Sequence, residues 1–287
     1  METNQTIQWF PGHMTKTKRN IEASLKLVDA VAEIKDARIP MSSSNPDIDT
    51  LVGSKPRVIL LNKCDVADPA VTAKWVEFYK KQGIRALPID CKSGRGLDKF
   101  IPECRNILKP LIEKKQARGI VNPSIRVMIV GIPNVGKSSF INKIVKQNRA
   151  KVEDRPGVTR GNQWFTLDRG FEMLDTPGVL WPKFEDQIVG ERLAFTGAVK
   201  DQILDTELLA VRLLDLLKNI KTQSFLDRFK LDKDTVGDMD SYDLLQLIGR
   251  RRGMLISGGE VDTERASAML LDEFRSSKLG RISLESP

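Results

Sequence analysis

Gly131-Ile-Pro-Asn-Val-Gly136-Lys137-Ser138 spells G-x-x-x-x-G-K-[ST], a pattern whose chemistry is phosphate binding. Its glycines let the backbone N–H groups from Asn134 through Val135, Gly136, Lys137, Ser138 and Ser139 turn inward around phosphate oxygens. Lys137 reaches the outer phosphates and the Ser138 hydroxyl is placed for Mg²⁺. Downstream, Asp175-Thr-Pro-Gly178 supplies a carboxylate for the same Mg²⁺ and a Gly178 N–H for a γ-phosphate. Between them, the breaker-rich Asp154-Arg-Pro-Gly157-Val-Thr159-Arg160-Gly161 reads as a switch loop with Thr159 as a second Mg²⁺ hydroxyl. Far upstream stands Asn62-Lys63-Cys64-Asp65. Asp65 offers two carboxylate oxygens to the paired N–H donors of a guanine edge, which adenine lacks, so the pattern selects GTP over ATP. A further loop, Asp90-Cys91-Lys92-Ser93-Gly94, is suited to a backbone contact with the base oxygen, although Asp90 and Cys91 stand where Ser and Ala are usual. The base-reading tetrapeptide thus precedes the phosphate loop, the reverse of the ordinary order in a GTP-binding switch, and this implies a circular permutation.

Such residues need strands that end together. Arg57-Val-Ile-Leu-Leu61 and Ile125-Arg-Val-Met-Ile-Val130 are apolar runs of buried-strand type, and Ile84–Ile89 and Phe171–Leu174 complete the set of loop-bearing strands. An N-terminal helix from about Met14 to Leu27 precedes a strand from Val28 to Ile34 that ends at Asp36-Ala-Arg-Ile-Pro40. A helix begins at Asp68-Pro69, with its cap and first-turn proline, and a second runs from Leu97 to Gln116 with interruptions at Pro102 and Pro110. A third follows the phosphate loop from Lys137 to Lys146. Beyond Asp205 only helical spacing remains: Leu209, Leu213, Leu216, Leu217 and Ile220, then Leu244, Leu245 and Ile248, then a helix from Asp262 to Ser276 closed by Gly280. The expected class is α/β: a circularly permuted P-loop GTPase domain over residues 1–204, a mostly parallel sheet with helices on both faces, followed by a small all-helical domain over 205–287.

The 287 residues carry a net charge of +8. Residues 205–287 hold 13 Lys and Arg against 15 Asp and Glu, so the basic surplus belongs to the rest of the chain. Such a surface suits a polyanion such as RNA, or serves solubility alone. There is no apolar run near the ~20 residues of a membrane span and no leader pattern, which fits a cytoplasmic protein. Three cysteines without C-x-x-C spacing indicate neither a disulfide framework nor a zinc cluster.

Two residues have open roles. Val179 follows Asp-x-x-Gly where signalling GTPases place a water-orienting Gln. In unpermuted order the segment Trp9-Phe-Pro-Gly-His13-Met would come next, so His13, the sole histidine, either orients the attacking water or serves a partner or a helix cap. Asn134 either bonds within its loop or lends its carbonyl to a K⁺ beside the phosphates.

Together, Trp9–Met14, Asp36-Ala-Arg-Ile-Pro40, Asn62–Asp65, Gly131–Ser139, Pro156-Gly-Val-Thr159, Asp175–Gly178 and Leu180-Trp-Pro-Lys-Phe-Glu-Asp186 closely resemble the bacterial ribosome biogenesis GTPase A family over nearly the whole chain. The resemblance implies binding to the immature large ribosomal subunit, meaning its RNA and proteins rather than DNA or membrane. It also implies GTP hydrolysis stimulated by that particle, release after maturation, and an RNA-binding role for the C-terminal helices. Since those helices are net acidic, any basic face must be local, as at Arg250-Arg-Arg252.

Overall fold

The computed structural model describes residues 14–148, 151–153, 163–167, 170–176, 186–199, 205–220 and 222–287. Its seven strands are β1 (Ala30–Asp36), β2 (Arg57–Asn62), β3 (Arg85–Pro88), β4 (Ile125–Val130), β5 (Lys151–Glu153), β6 (Gln163–Leu167) and β7 (Phe171–Asp175), ordered β3-β2-β1-β4-β7-β6-β5 across one sheet. The first five in that order run parallel, and β6 and β5 add an antiparallel edge. Permutation is visible in the order itself. The strand leading into the phosphate loop, β4, is central in space but only fourth in the chain, and the base-side strands occupy the opposite half.

Side chains alternate across each strand, so both faces need cover. Val58 and Leu60 of β2 join Ala30, Ile34, Val127 and Ile129 in a core roofed by Phe100 and Phe140, whose rings meet edge to face at 5.0 Å. Ile59 and Leu61 of the same strand turn to the other face, against Trp75 and Tyr79 of the helix Pro69–Lys81. Ile21 and Leu25 of the helix Met14–Leu25 cover Val31, Met128 and Leu174 on that side. β1 is buried along its whole length although it contains Glu33 and Lys35. Lys35 Nζ lies 3.5 Å from Glu33 and donates to Ser44 Oγ at 2.8 Å and Tyr79 Oη at 3.3 Å, so neither charge is left alone.

The expected helix from Leu97 to Gln116 is a 3₁₀ turn (Leu97–Lys99) followed by two helices, Phe100–Ile107 and Lys109–Ala117. The break falls at Leu108, before Pro110. Pro102 does not interrupt, because it lies in the first turn of its helix, where a missing N–H costs nothing. β1 starts two residues later than expected and runs on through Asp36.

The C-terminal helices Thr206–Ile220, Gln223–Phe229, Ser241–Arg251 and Thr263–Arg275 enclose a second core of Leu213, Phe225, Leu244, Ile248, Leu270 and Phe274. Thr222, Asp240 and Asp262 cap three of them. Ala194 and Phe195, at the end of the helix Gln187–Phe195, belong to this core, and Arg275 fastens their carbonyls at 2.8 and 3.1 Å. The last helix is closed by Ser277 at φ 59° and not by Gly280: Lys278 N–H bonds to Glu273 O and Ser277 N–H to Phe274 O, a Schellman closure. Gly280, at φ 100°, turns the chain three residues later, back towards the sheet.

Candidate functional site: a nucleotide cleft at the carboxyl ends of five parallel strands

In a parallel sheet, ligands gather beyond the carboxyl ends of the strands, and every loop-bearing strand here ends on one edge. Asp36 pairs in register with Asn62 at the ends of β1 and β2. Leu61 pairs with Pro88, which brings Asp90–Gly94 beside Asn62–Asp65. Ile129 pairs with Asp175, which sets that carboxylate beside the phosphate loop.

Asn62 joins three of these loops. Its Nδ2 donates to Val135 O at 2.6 Å, 73 residues away in the chain, and its Oδ1 accepts from Cys91 N–H at 3.1 Å. The base-side tetrapeptide, the phosphate loop and the loop after β3 are therefore stitched by one buried amide. Gly136 has φ 98°, and a Cβ there would overlap the Asn62 amide, so the loop needs glycine for conformation and for clearance. Gly131 is equally confined, since a Cβ would come within 2.9 Å of Ile34 O.

At the phosphate end, Lys137 opens the helix Lys137–Gln147, Ser138 and Ser139 are exposed in its first turn, and Lys137 Nζ donates to Asp175. Thr176 Oγ1 donates to Ile129 O at 2.8 Å, anchoring the chain as it leaves β7. A hydroxyl and a carboxylate held beside a helix N-terminus form a hard-oxygen set that fits Mg²⁺ shared with phosphates. Among the described residues no group of three His, Cys, Asp or Glu could hold a metal ion on its own. Asn134, at φ 61°, donates its amide to Gly197 O at 3.1 Å and Ala198 O at 3.4 Å, which ties the phosphate loop to the turn before the helical unit.

At the base end, the half-buried Asp65 carboxylate accepts no hydrogen bond from a described residue, as a group reserved for a ligand's donors would. Lys63, at φ 61°, places Nζ 3.0 Å from Asp36 Oδ2. Asp90 folds its own loop: its carboxylate accepts from Lys92 N–H at 2.8 Å and from Ser93 Oγ–H. Burial acts to raise the Asp90 pKa, but these bonds and Arg95 leave it below the ordinary carboxylate value. The unusual Asp thus serves as a loop brace. Lys92 is exposed. Burial, then the neighbouring Asp90, Cys64 and Asp65, push the Cys91 thiol up to about 12, so it is neutral. Cys64, Cys91 and Cys104 are all free and buried.

His13, Thr159 and Gly178 lie outside the described residues. Of the arginines 250–252, Arg251 donates to Phe229 O at 2.9 Å and Arg252 to Glu273 at 3.3 Å, so both are spent inside the helical unit and only Arg250 points outward unpaired among the described residues. Sequence reasoning gave no role to Asp36 and Arg38, although Asp36-Ala-Arg-Ile-Pro40 stood out as a strand end. It also passed over the tail Arg281–Glu285, which has no periodicity to read and which lies against Cys64–Asp68.

A family model described as "50S ribosome-binding GTPase" matches residues 126–235, a span that starts at the phosphate-loop strand and lies wholly after the base-reading tetrapeptide. Ribosome biogenesis GTPase A of Priestia megaterium is 46% identical over 98% of this chain and 97% of its own length. Among solved structures, YlqF of Thermotoga maritima bound to GDP is similar with a TM-score of 0.66 and 32% identity, covering 94% of this chain and 99% of that one. The GNP-bound form gives 0.64 and 32%, covering 95% and 98%.

Proposed function

The chain belongs to the ribosome biogenesis GTPase A family and is a GTPase, and from that premise we propose that it binds the immature large ribosomal subunit, hydrolyses GTP faster on that particle, and leaves once the particle has matured. The observation that carries the reading is the Asn62 amide, which joins a guanine-type loop to a phosphate-type loop across 73 residues. In this reading Asp65 grips the guanine edge, Lys63 lies along the base, and the backbone from Asn134 to Ser139 wraps the phosphates. Lys137 leaves Asp175 for the outer phosphates. Ser138, Thr159 and Asp175 would hold Mg²⁺, which neutralises charge on the β- and γ-phosphates. Gly178 meets the γ-phosphate, and the chain after it leads to the helix Gln187–Phe195, whose end is buried among the C-terminal helices. Loss of the γ-phosphate contact is thereby passed to residues 205–287, which we assign to the ribosomal RNA.

His13 orients the attacking water, and Asn134 offers its carbonyl to K⁺, supplying the positive charge that an arginine finger gives elsewhere. Hydrolysis measured with and without purified large subunits, in KCl and in NaCl, tests the proposal alongside co-sedimentation with those subunits in GDP and in a non-hydrolysable GTP analogue. Stimulation by the particle and tighter sedimentation with the analogue support it. Equal rates with and without subunits remove stimulation by the particle, an absence of hydrolysis in both makes the chain a GTP-holding scaffold, equal rates in the two salts remove K⁺, and an unchanged single-turnover rate for His13→Ala on the particle removes His13.

A further inference from the structure

The guanine-type loop is held by two sets of contacts, which meet at Arg38. On one side lies the segment after the last helix. Arg281 donates through Nη2 to Cys64 O at 2.7 Å and through Nε to Ala67 O at 2.9 Å. Ile282 N–H bonds to Val66 O at 3.2 Å, and Ser283 Oγ accepts from Asp68 N–H at 3.1 Å. Leu284 N–H then bonds to Arg38 O at 2.9 Å. On the other side, Lys63 is drawn to Asp36, whose carboxylate takes both arms of Arg38 at 2.9 and 2.7 Å. That guanidinium stacks 5.6 Å from the ring centroid of Phe274, in the last helix, and reaches Thr196 O at 3.4 Å.

Asp36 and Arg38 are each 2% exposed. A buried ion pair of this kind adds little to stability over well-packed apolar side chains, because desolvation offsets the attraction. It does fix a geometry. Asp36 orients the ammonium of Lys63, and Arg38 ties that orientation to Phe274. Lys63 also sits at φ 61°, a conformation a lysine keeps only when its surroundings impose it. Within the loop, the hydrogen bond from Val66 N–H to Lys63 O is the local brace; the carbonyls of Cys64, Val66 and Ala67 are met by the tail.

We propose that the Asp36–Arg38 pair and the Arg281–Leu284 strap form a two-sided clamp through which the docked helical unit positions the guanine-reading loop, making Arg281 and Arg38 positioning residues for base specificity. The clamp rests on the assignment of Asn62–Asp65 to the base. Because coupling is reciprocal, a bound guanine nucleotide tightens the strap as the strap tightens the base site. Movement of the helical unit on a partner thereby loosens guanine binding without touching the phosphates.

Full-length Arg281→Ala and Arg281→Lys are compared with the parent for binding of GDP and of inosine diphosphate, which lacks the 2-amino donor that Asp65 would read. Arg281→Ala weakens GDP about tenfold and narrows the preference for GDP over inosine diphosphate, Arg281→Lys recovers part of both, and Arg281→Ala adds no loss in an Asp65→Ala background. In the parent protein, GDP slows hydrogen exchange at the amides of Ile282 and Leu284, which bond to Val66 O and Arg38 O. A strap that merely fastens the two halves together predicts equal weakening of both nucleotides, the same loss in both backgrounds and unchanged exchange, and any of these overturns the clamp. An Asp65→Ala variant that keeps full GDP affinity overturns the base assignment and the clamp with it. A weakened Asp65→Ala beside an unaffected Arg281→Ala overturns the clamp alone.

Discussion

Replacing Asn62 by Ala removes a side chain that joins three loops, and the consequence can be worked from its two hydrogen bonds. The substitution strands the Val135 carbonyl and the Cys91 N–H, both in buried residues. Each stranded group costs about 1–3 kcal/mol, so the fold loses roughly 2–6 kcal/mol, a large share of the ~5–15 kcal/mol that a domain has. Nucleotide affinity falls as well, because the base loop and the phosphate loop lose their shared brace. Asp65→Ala provides the contrast. Its carboxylate braces nothing among the described residues, so stability should stay within about 0.5 kcal/mol, while the loss of two charge-assisted bonds to guanine, about 1.5–3 kcal/mol each, weakens GDP by roughly 10²–10⁴-fold. Urea unfolding of the nucleotide-free proteins and calorimetry with GDP separate the two. A parent-like urea midpoint for Asn62→Ala, or equal destabilisation by both variants, refutes the assignment of Asn62 as brace and Asp65 as reader.

Gly136→Ala should abolish detectable GDP binding and destabilise by more than the ~1–2 kcal/mol of a left-handed alanine, since the added methyl also displaces the Asn62 amide; calorimetry and urea unfolding check both. Burial acts to raise the pKa of Asp36, but Arg38 and then Lys63 overcome it and hold the carboxyl well below the ordinary range. A carboxylate depressed in the fold contributes stability that is complete above its unfolded pKa of ~3.9 and drains away as pH falls below it. Asp36→Asn should therefore lower stability at pH 7 and flatten its decline below about pH 4, read from urea midpoints across pH. Ser277→Gly should stabilise the last helix by about 0.5–1 kcal/mol, because a non-glycine residue holds the left-handed closure there; a lowered thermal midpoint would contradict the Schellman assignment.

Much of the site was legible because its loops combine glycine, lysine and carboxylate at spacings that strand ends impose, and because the strands carrying them are unbroken apolar runs. The phosphate loop follows β4 and the tetrapeptide follows β2 as expected, and the reversed order of the two motifs translated directly into sheet order. Helix punctuation was less legible. Pro102 read as a break although a first-turn proline continues its helix, and Gly280 read as a terminator although Ser277 adopts the left-handed turn. The Asp36–Arg38 pair and the tail could not be inferred, for a different reason. Their partners are backbone carbonyls and residues more than 150 positions away, such as Thr196 and Cys64, and such contacts leave no period or composition to detect.

The Glu33 and Lys35 pair within β1 bears on how the chain is made. During synthesis β1, β2 and β3 emerge first, and β1, an interior strand of the finished sheet, is for that interval its open edge, awaiting β4. An unpaired apolar edge invites neighbouring nascent chains to add to it, and inward charges are a known deterrent. Glu33 and Lys35, paired beside Ser44 and Tyr79 in the finished fold, are charges of that kind, present on the strand before the phosphate-binding half is translated. The order in which the polypeptide is written thus sets which strand must wait for its neighbour, and that strand is the one carrying the pair.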